Sequence, residues 1–281
     1  MSTRPRRRRL LALATLASLL CTAVAIYAQA PRRGIGRWAD TVDRVARPDD
    51  VSGDFHFCRI AFANDFRGDG GNWQVDYPRA DINLSIRLAE LTRTAVSMDA
   101  YGDPKPLAMR LTDDVMFQCP FIMMTEVGSA AIRPSEADRL REYLLKGGFL
   151  WVDDFWGSYA WDWWAAQIDQ VLPTAEYPIV DLPLDHPLFS SQFLITEVPQ
   201  IANIGHWRRT GGGTSERFED SAAAHARAIL DDQGRIMVLM THNTDLGDSF
   251  EREADDPQYF YEMSVKGYAF GVNALLYALT H

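Results

Sequence analysis

Apolar runs alternate with amphipathic stretches along most of the chain, and this order is typical of an α/β sheet. Short apolar runs predict buried strands, whereas a period near 3.6 predicts helices packed on them. The predicted strands span residues 55–62, 95–98, 120–125, 149–153, 228–230 and 235–241. The predicted helices span residues 80–92, 135–146, 161–171 and 264–279. A single domain of about 230 residues accommodates all of these elements.

The first 30 residues predict a targeting segment. Residues 4–9 are rich in arginine and residues 10–28 carry no charge, which together indicate an export signal. Ala28-Gln29-Ala30 has the small-x-small form of a cleavage site, which favours a cleaved signal peptide. Pro31 and the length of the apolar run, enough to span a bilayer at about 1.5 Å per residue, instead favour a retained N-terminal membrane anchor. Both alternatives remain open at this point.

The rest of the chain divides into a linker over residues 31–54 and a domain over residues 55–281. Eight arginines and no acid lie in residues 1–37, so the remainder has 28 − 8 = 20 basic and 38 acidic residues. Its net charge of −18 predicts no nucleic-acid partner. The export segment predicts an extracytoplasmic location in the periplasm or cell envelope, with possible inner-membrane attachment through residues 10–28. An envelope protein or a glycan is the expected partner.

Cys58 and Cys119 are the two cysteines of the predicted domain. An oxidising compartment would allow them to pair. Each lies in or beside an apolar run, and side chains of adjacent parallel strands seldom have disulfide geometry. We therefore expect two buried free thiols.

Polar residues follow several predicted strands, where an open parallel sheet binds its ligands. The candidate catalytic residues are Asp153, Asp154, Glu126 and His242. The candidate ligand-binding residues are Asp65, Asp69, Asn72, Trp156, His206 and Asn243. Because neighbouring side chains of a strand point to opposite sides, one of the two adjacent aspartates should face the crevice. The other should face a helix N-terminus or backbone amides.

Three stretches resemble the bacterial domain of unknown function 4159. They are residues 66–84 (FRGDGGNWQVDYPRADINL), 120–128 (PFIMMTEVG) and 147–157 (GGFLWVDDFWG). The resemblance extends over about residues 55–280 and implies a flavodoxin-like, mostly parallel sheet with helices on both faces, similar to class I glutamine amidotransferases. Residues 234–242 and the final helix are similar to the ThuA-like branch of that superfamily.

The amidotransferase chemistry is not expected here. That reaction needs a cysteine on a sharp turn from strand to helix, but the corresponding strand, residues 149–152, ends in Asp153-Asp154. No Gly-x-Ser-x-Gly sequence replaces the cysteine. Carboxylates and His242 or His206 supply possible metal ligands, but no metal-binding spacing is present, so no metal ligand is predicted and the cofactor is unknown.

Three classes of function are compatible with the sequence. The favoured one is a non-catalytic module that binds a ligand or partner in the cell envelope. The alternative is an acid/base or metal-assisted hydrolase of an envelope carbohydrate or peptide, using Asp153 or Asp154, Glu126 and His242. The third is a purely structural domain.

Overall fold

A computed structural model describes residues 45–281, in which strands and helices alternate as expected for an α/β protein. The strands are β1 (Cys58–Ile60), β2 (Ala63–Asn64), β3 (Leu107–Met109), β4 (Phe121–Thr125), β5 (Ala130–Ala131), β6 (Phe149–Asp153), β7 (Ile179–Asp181), β8 (His225–Leu230) and β9 (Ile236–His242). The helices are α1 (Arg79–Leu91), α2 (Pro134–Leu145), α3 (Gly157–Val171), α4 (Ile204–Thr210), α5 (Leu246–Glu251), α6 (Pro257–Tyr259) and α7 (Val265–Thr280).

Seven strands form one mixed sheet in the order β3-β1-β4-β6-β9-β8-β7. The pairings from β3 to β9 are parallel, and β8 and β7 continue the sheet antiparallel. In the β4–β6 ladder Thr125 is opposite Asp153. The two strands therefore end at the same level, and the residues that follow them meet at one edge of the sheet.

The alternation of side chains along the central strands divides the apolar core between the two faces of the sheet. Phe121, Met123 and Trp151 belong to a cluster that includes residues of α1, α5 and α7. Ile122 and Leu150 belong to a second cluster that includes residues of α2 and α3. Helices therefore cover both faces, which is why the central strands are apolar at nearly every position.

Two predicted elements differ from the structure. Residues 95–98 are not a sheet strand, because Val96 forms only an isolated bridge with Phe55. The strand beside β1 is instead β3. Its apolar run, between Pro106 and Arg110, is too short to show the periodicity that predicts a strand. Helix α3 begins four residues earlier than predicted because Asn243 Oδ1 accepts a hydrogen bond from Gly157 N (2.8 Å), which fixes the helix start.

The expectation of two free thiols is wrong, since Cys58 and Cys119 form a disulfide bond. Cys119 lies outside the parallel ladder, in the connection between a 3-10 turn (Asp114–Gln118) and β4. The separation of the two Cα atoms, 6.4 Å, is therefore within the range that a disulfide bridges. The bond lies at the amino ends of β1 and β4, opposite the edge with the predicted site.

The predicted export segment and residues 31–44 of the predicted linker lie outside the described residues. Among residues 45–281, no helix has both the length and the apolar character needed to cross a membrane. The described end of the predicted linker contacts the domain, where Ala46 N donates to Ala108 O (2.8 Å).

Candidate functional site

Six acidic side chains gather at the carboxyl edge of the parallel strands, and we call them the carboxylate cluster. Its members are Asp76, Glu126, Asp153, Asp154, Asp245 and Asp248. Glu126 follows β4, Asp153 ends β6, and Asp245 caps α5 after β9. The five aspartates are buried and Glu126 is nearly so. Such a density of buried acids is costly unless protons, donors or cations compensate it.

Asp153 faces backbone and hydroxyl donors. Its Oδ1 accepts from Thr241 Oγ1 (2.5 Å), and its Oδ2 accepts from the backbone N of Gly247 in the first turn of α5 (3.1 Å). Burial raises the pKa of Asp153 to about 7, although these hydrogen bonds oppose the rise. Asp153 thus ties β6 to β9 and to α5, the structural role that strand alternation predicts for one member of the pair.

Asp154 lies among the other acids of the carboxylate cluster. Its Oδ1 accepts from Trp156 Nε1 (3.0 Å), and burial followed by repulsion from Glu126 and Asp76 raises its pKa well above the usual range. Glu126 hydrogen-bonds with Asp154 through their side chains, while burial raises the pKa of Glu126. The two acids therefore hold a proton between them more readily than isolated carboxyls do.

Left-handed backbone conformations recur around the carboxylate cluster. Positive φ angles occur at Asp76 (62°), Glu126 (57°), Asp154 (57°) and Asn243 (60°). These conformations are uncommon for residues other than glycine and concentrate at functional sites. At Glu126, Asp154 and Asn243 they turn the chain directly after β4, β6 and β9, and at Asp76 they turn the loop before α1.

Asp76, Asp154 and Asp245 have a geometry suited to shared binding. One carboxylate oxygen from each lies within 4.8 Å of the other two. Asp76 also takes part in a second such group with Asp248 and Glu251. Burial raises the pKa of Asp76 and of Asp245 well above the usual range, and neighbouring carboxylates add to the rise.

Glu126 is the member of the carboxylate cluster beside a surface that we call the rim, residues 65–72, 157–159 and 215–220, because Gly70 and Gly71 lie against its carboxylate. Tyr159 Oη donates to the carbonyl of Arg67 (2.7 Å), and Arg217 Nη2 donates to Asp69 Oδ1 (3.0 Å). These bonds hold the three rim segments together. Burial, followed by repulsion from Glu216 and then Asp69 on the rim, raises the pKa of Glu126.

The structure does not place His242 among these acids. Its Nε2 donates to the carbonyl of Gly157 (3.0 Å), and its Nδ1 accepts from Arg227 Nη1 (3.2 Å). The ring packs against Phe155 and Trp161. Burial lowers the pKa of His242 to about 4, which matches a neutral ring with both nitrogens engaged. Its partners give it a structural role rather than the predicted acid/base role beside Glu126.

The six predicted ligand-binding residues have diverse surroundings. Trp156 contacts the carboxylate cluster through Asp154. Asp65 and Asp69 lie on the rim, where each pairs with an arginine. Asn243 is structural, because it also donates to the carbonyl of Ala223.

The other two, Asn72 and His206, do not extend into the carboxylate cluster by any described bond. Asn72 lies on the rim, and its Oδ1 accepts from Gln74 N within a turn (2.8 Å). His206 is buried on α4, a helix that the sequence did not predict.

Sequence reasoning did not select Asp76, Asp245 and Asp248 as site residues. Asp76 comes from the loop before α1, far from the strand ends in sequence. Asp245 is the N-cap of α5, and its Oδ1 accepts a hydrogen bond from Asp248 N (2.7 Å). The Asp-x-x-Asp spacing of these two residues is the sequence signal that could have indicated this helix start.

This fold defines an α/β domain with a mostly parallel sheet and a cluster of buried carboxylates at the carboxyl edge of that sheet. The sequence pattern of the domain of unknown function DUF4159 matches residues 57–279, so the chain belongs to that family. No curated protein matches the chain.

Proposed function

We propose that this chain is a non-catalytic extracytoplasmic module that binds an envelope carbohydrate at the rim. The observation that carries the proposal concerns the strand end that holds the cysteine in class I glutamine amidotransferases. Here that position bears Asp153-Asp154, and both described cysteines are joined in a disulfide at the opposite edge. A thiol reaction at this edge has no nucleophile among residues 45–281.

Exposed aromatic rings on the rim support a carbohydrate ligand. Phe66, Tyr159 and Phe218 are 96%, 56% and 74% exposed. They lie among the carboxylates of Asp65 and Asp69 and their arginine partners. Aromatic faces stack on the apolar faces of sugars, and charged groups beside them hydrogen-bond the hydroxyls.

The extracytoplasmic location rests on the export signal and on the disulfide, since such bonds persist in oxidising compartments. The sheet order and the covered faces support a flavodoxin-like fold of the amidotransferase and ThuA-like type. If the predicted apolar segment is retained, it tethers the domain to the membrane.

Binding of the purified full chain to an array of bacterial envelope oligosaccharides tests this function. We expect Phe66→Ala and Phe218→Ala to weaken the binding at least tenfold. Tyr101→Ala is the matched control, because Tyr101 is 91% exposed but lies in the turn before β3, at the opposite edge of the sheet. Absence of binding, or equal losses in all three variants, would contradict the proposal.

One observation favours the second candidate, an acid/base hydrolase. Glu126 and Asp154 share a hydrogen bond in a buried setting that raises both pKa values. Paired carboxyls of this kind serve as general acid and base in hydrolases. Mass spectrometry of the bound oligosaccharides separates the two functions: cleavage that Glu126→Gln abolishes would establish the hydrolase.

A further inference from the structure

We propose that Asp76, Asp154 and Asp245 bind a divalent metal ion of the calcium and magnesium class inside the carboxylate cluster. The site lies inward of Glu126 and the rim, so it is separate from the proposed carbohydrate surface.

The distances among the three acids suit such an ion. The three oxygens lie within 4.8 Å of one another. Two ligands on opposite sides of a calcium ion, with bonds of about 2.4 Å, are about 4.8 Å apart. The three oxygens are therefore close enough to bind one divalent cation, and a buried site favours calcium because magnesium gives up its waters reluctantly.

Asp76 points independently to a ligand. Its side chain is only 8% exposed, and its buried Oδ2 has no hydrogen-bond partner in the described chain. A Cβ atom at Gly247 would collide with Asp76 Oδ2 and lie 3.5 Å from Asp245 Oδ1, so both carboxylates converge on the same region. An unsatisfied buried carboxylate oxygen is costly, and a cation at this position removes the cost.

The protein's own cations compensate these three acids only in part. None of the three forms an ion pair with another residue of the described range 45–281. Arg59 adds a positive charge near Asp76, but its guanidinium is paired with Asp81. Arg252 pairs with Asp248 of the carboxylate cluster and with Glu251, and with none of the three proposed ligands.

The donor atoms indicate the class of metal. Carboxylate oxygens are hard ligands and favour calcium, magnesium or manganese, whereas zinc and copper prefer imidazole and thiolate. The predicted histidine His242 has both ring nitrogens engaged by Arg227 and Gly157. We therefore expect calcium to bind most tightly and zinc weakly.

Calorimetry and thermal melting of the EDTA-treated full chain test the site, with calcium, magnesium or zinc chloride as the titrant. At a hundredfold excess over Kd, calcium should raise the Tm of the wild type by about 5–10 °C. Asp76→Asn and Asp245→Asn should each weaken calcium binding at least tenfold. Asparagine remains a good helix cap, so the second variant keeps the start of α5.

Asp232→Asn is the matched control, because Asp232 is exposed in the turn between β8 and β9 at the other edge of the sheet. Circular dichroism confirms that each variant is folded. The proposal is overturned if calcium and magnesium neither bind nor stabilise the wild type, or if the two site variants bind like the control. Carbohydrate binding is measured separately in EDTA, so failure of one proposal is distinct from failure of the other.

Discussion

Asp153 and Gly247 join the end of β6 to the start of α5, because Gly247 N donates to Asp153 Oδ2 over 3.1 Å. Gly247 also packs so closely against the carboxylate of Asp76 that residue 247 has no room for a side chain. Gly247 therefore donates a hydrogen bond to one acid of the carboxylate cluster, Asp153. Because it has no side chain, it also leaves room for the carboxylate of another, Asp76.

Gly247→Ala should destabilise the protein by about 1–3 kcal/mol, because the added methyl forces the buried Asp76 carboxylate to move. Urea unfolding measures the change. Gly53→Ala is the control, since nothing lies within 4 Å of a Cβ at residue 53, and its effect should stay within about 0.5 kcal/mol. Equal effects of the two substitutions would contradict the packing argument.

The two adjacent aspartates should respond oppositely to neutral replacement in EDTA. Asp153→Asn puts an amide group where a carboxylate oxygen accepts from Thr241 or Gly247, so we expect a loss of about 1–3 kcal/mol. Asp154→Asn removes repulsion from Glu126 and Asp76, so stability should change little or rise. The free energy of unfolding in urea checks both, and a larger loss for Asp154→Asn would reverse the assigned roles.

The metal-free protein should lose stability as the pH rises through neutrality. The pKa of Asp153 is about 7 in the folded protein and 3.8 without the fold, so the folded state holds a proton that the unfolded state has released. Its contribution is fully present below about pH 3.8 and is lost as the pH rises through about 7. Between pH 6.5 and 8 the loss from this group is about 1 kcal/mol.

Urea unfolding at the two pH values in EDTA tests this dependence, and Asp153→Asn should reduce it by the share of this one group. His242 does not titrate in the folded protein between pH 6.5 and 8, because burial lowers its pKa to about 4 and keeps the ring neutral over this range. Stability that rises from pH 6.5 to 8 would contradict the raised pKa.

The disulfide should contribute substantially to stability, because it joins residues 61 positions apart. Chain entropy predicts a loss of about 4 kcal/mol when such a bond is removed. Thermal melts with and without a reductant measure it. Cys58→Ala/Cys119→Ala is the control, since its melting should not respond to the reductant. An unchanged wild-type Tm in fully reduced protein would disprove the contribution.

Residues 41–281 should fold without the N-terminal segment. The described chain from residue 45 onward contains all of the strands and helices above and forms one compact unit. We expect this fragment to be expressed in soluble form and to melt in one cooperative transition. Aggregated fragment, or melting without cooperativity, would show that the first 40 residues are needed for folding.

The central strands and the long helices were predictable because their signals are local. The apolar run Phe149–Asp153 follows Gly147-Gly148 and ends in acids. In a chain of this composition, such a run has few interpretations other than a buried strand. Short elements such as β3 and β7 were not predictable, since three residues carry no usable period. Their pairing with neighbouring strands makes them strands.

The sequence by itself determined the α/β class, the family and the placing of Asp153, Asp154 and Glu126 at one sheet edge. Only the tertiary structure brought Asp76 from a distant loop against Asp245, and only it paired Cys58 with Cys119. The physical reason is that hydrophobic period and strand order are properties of neighbouring residues. The convergence of buried charges instead depends on how loops return over the sheet, which no local pattern encodes.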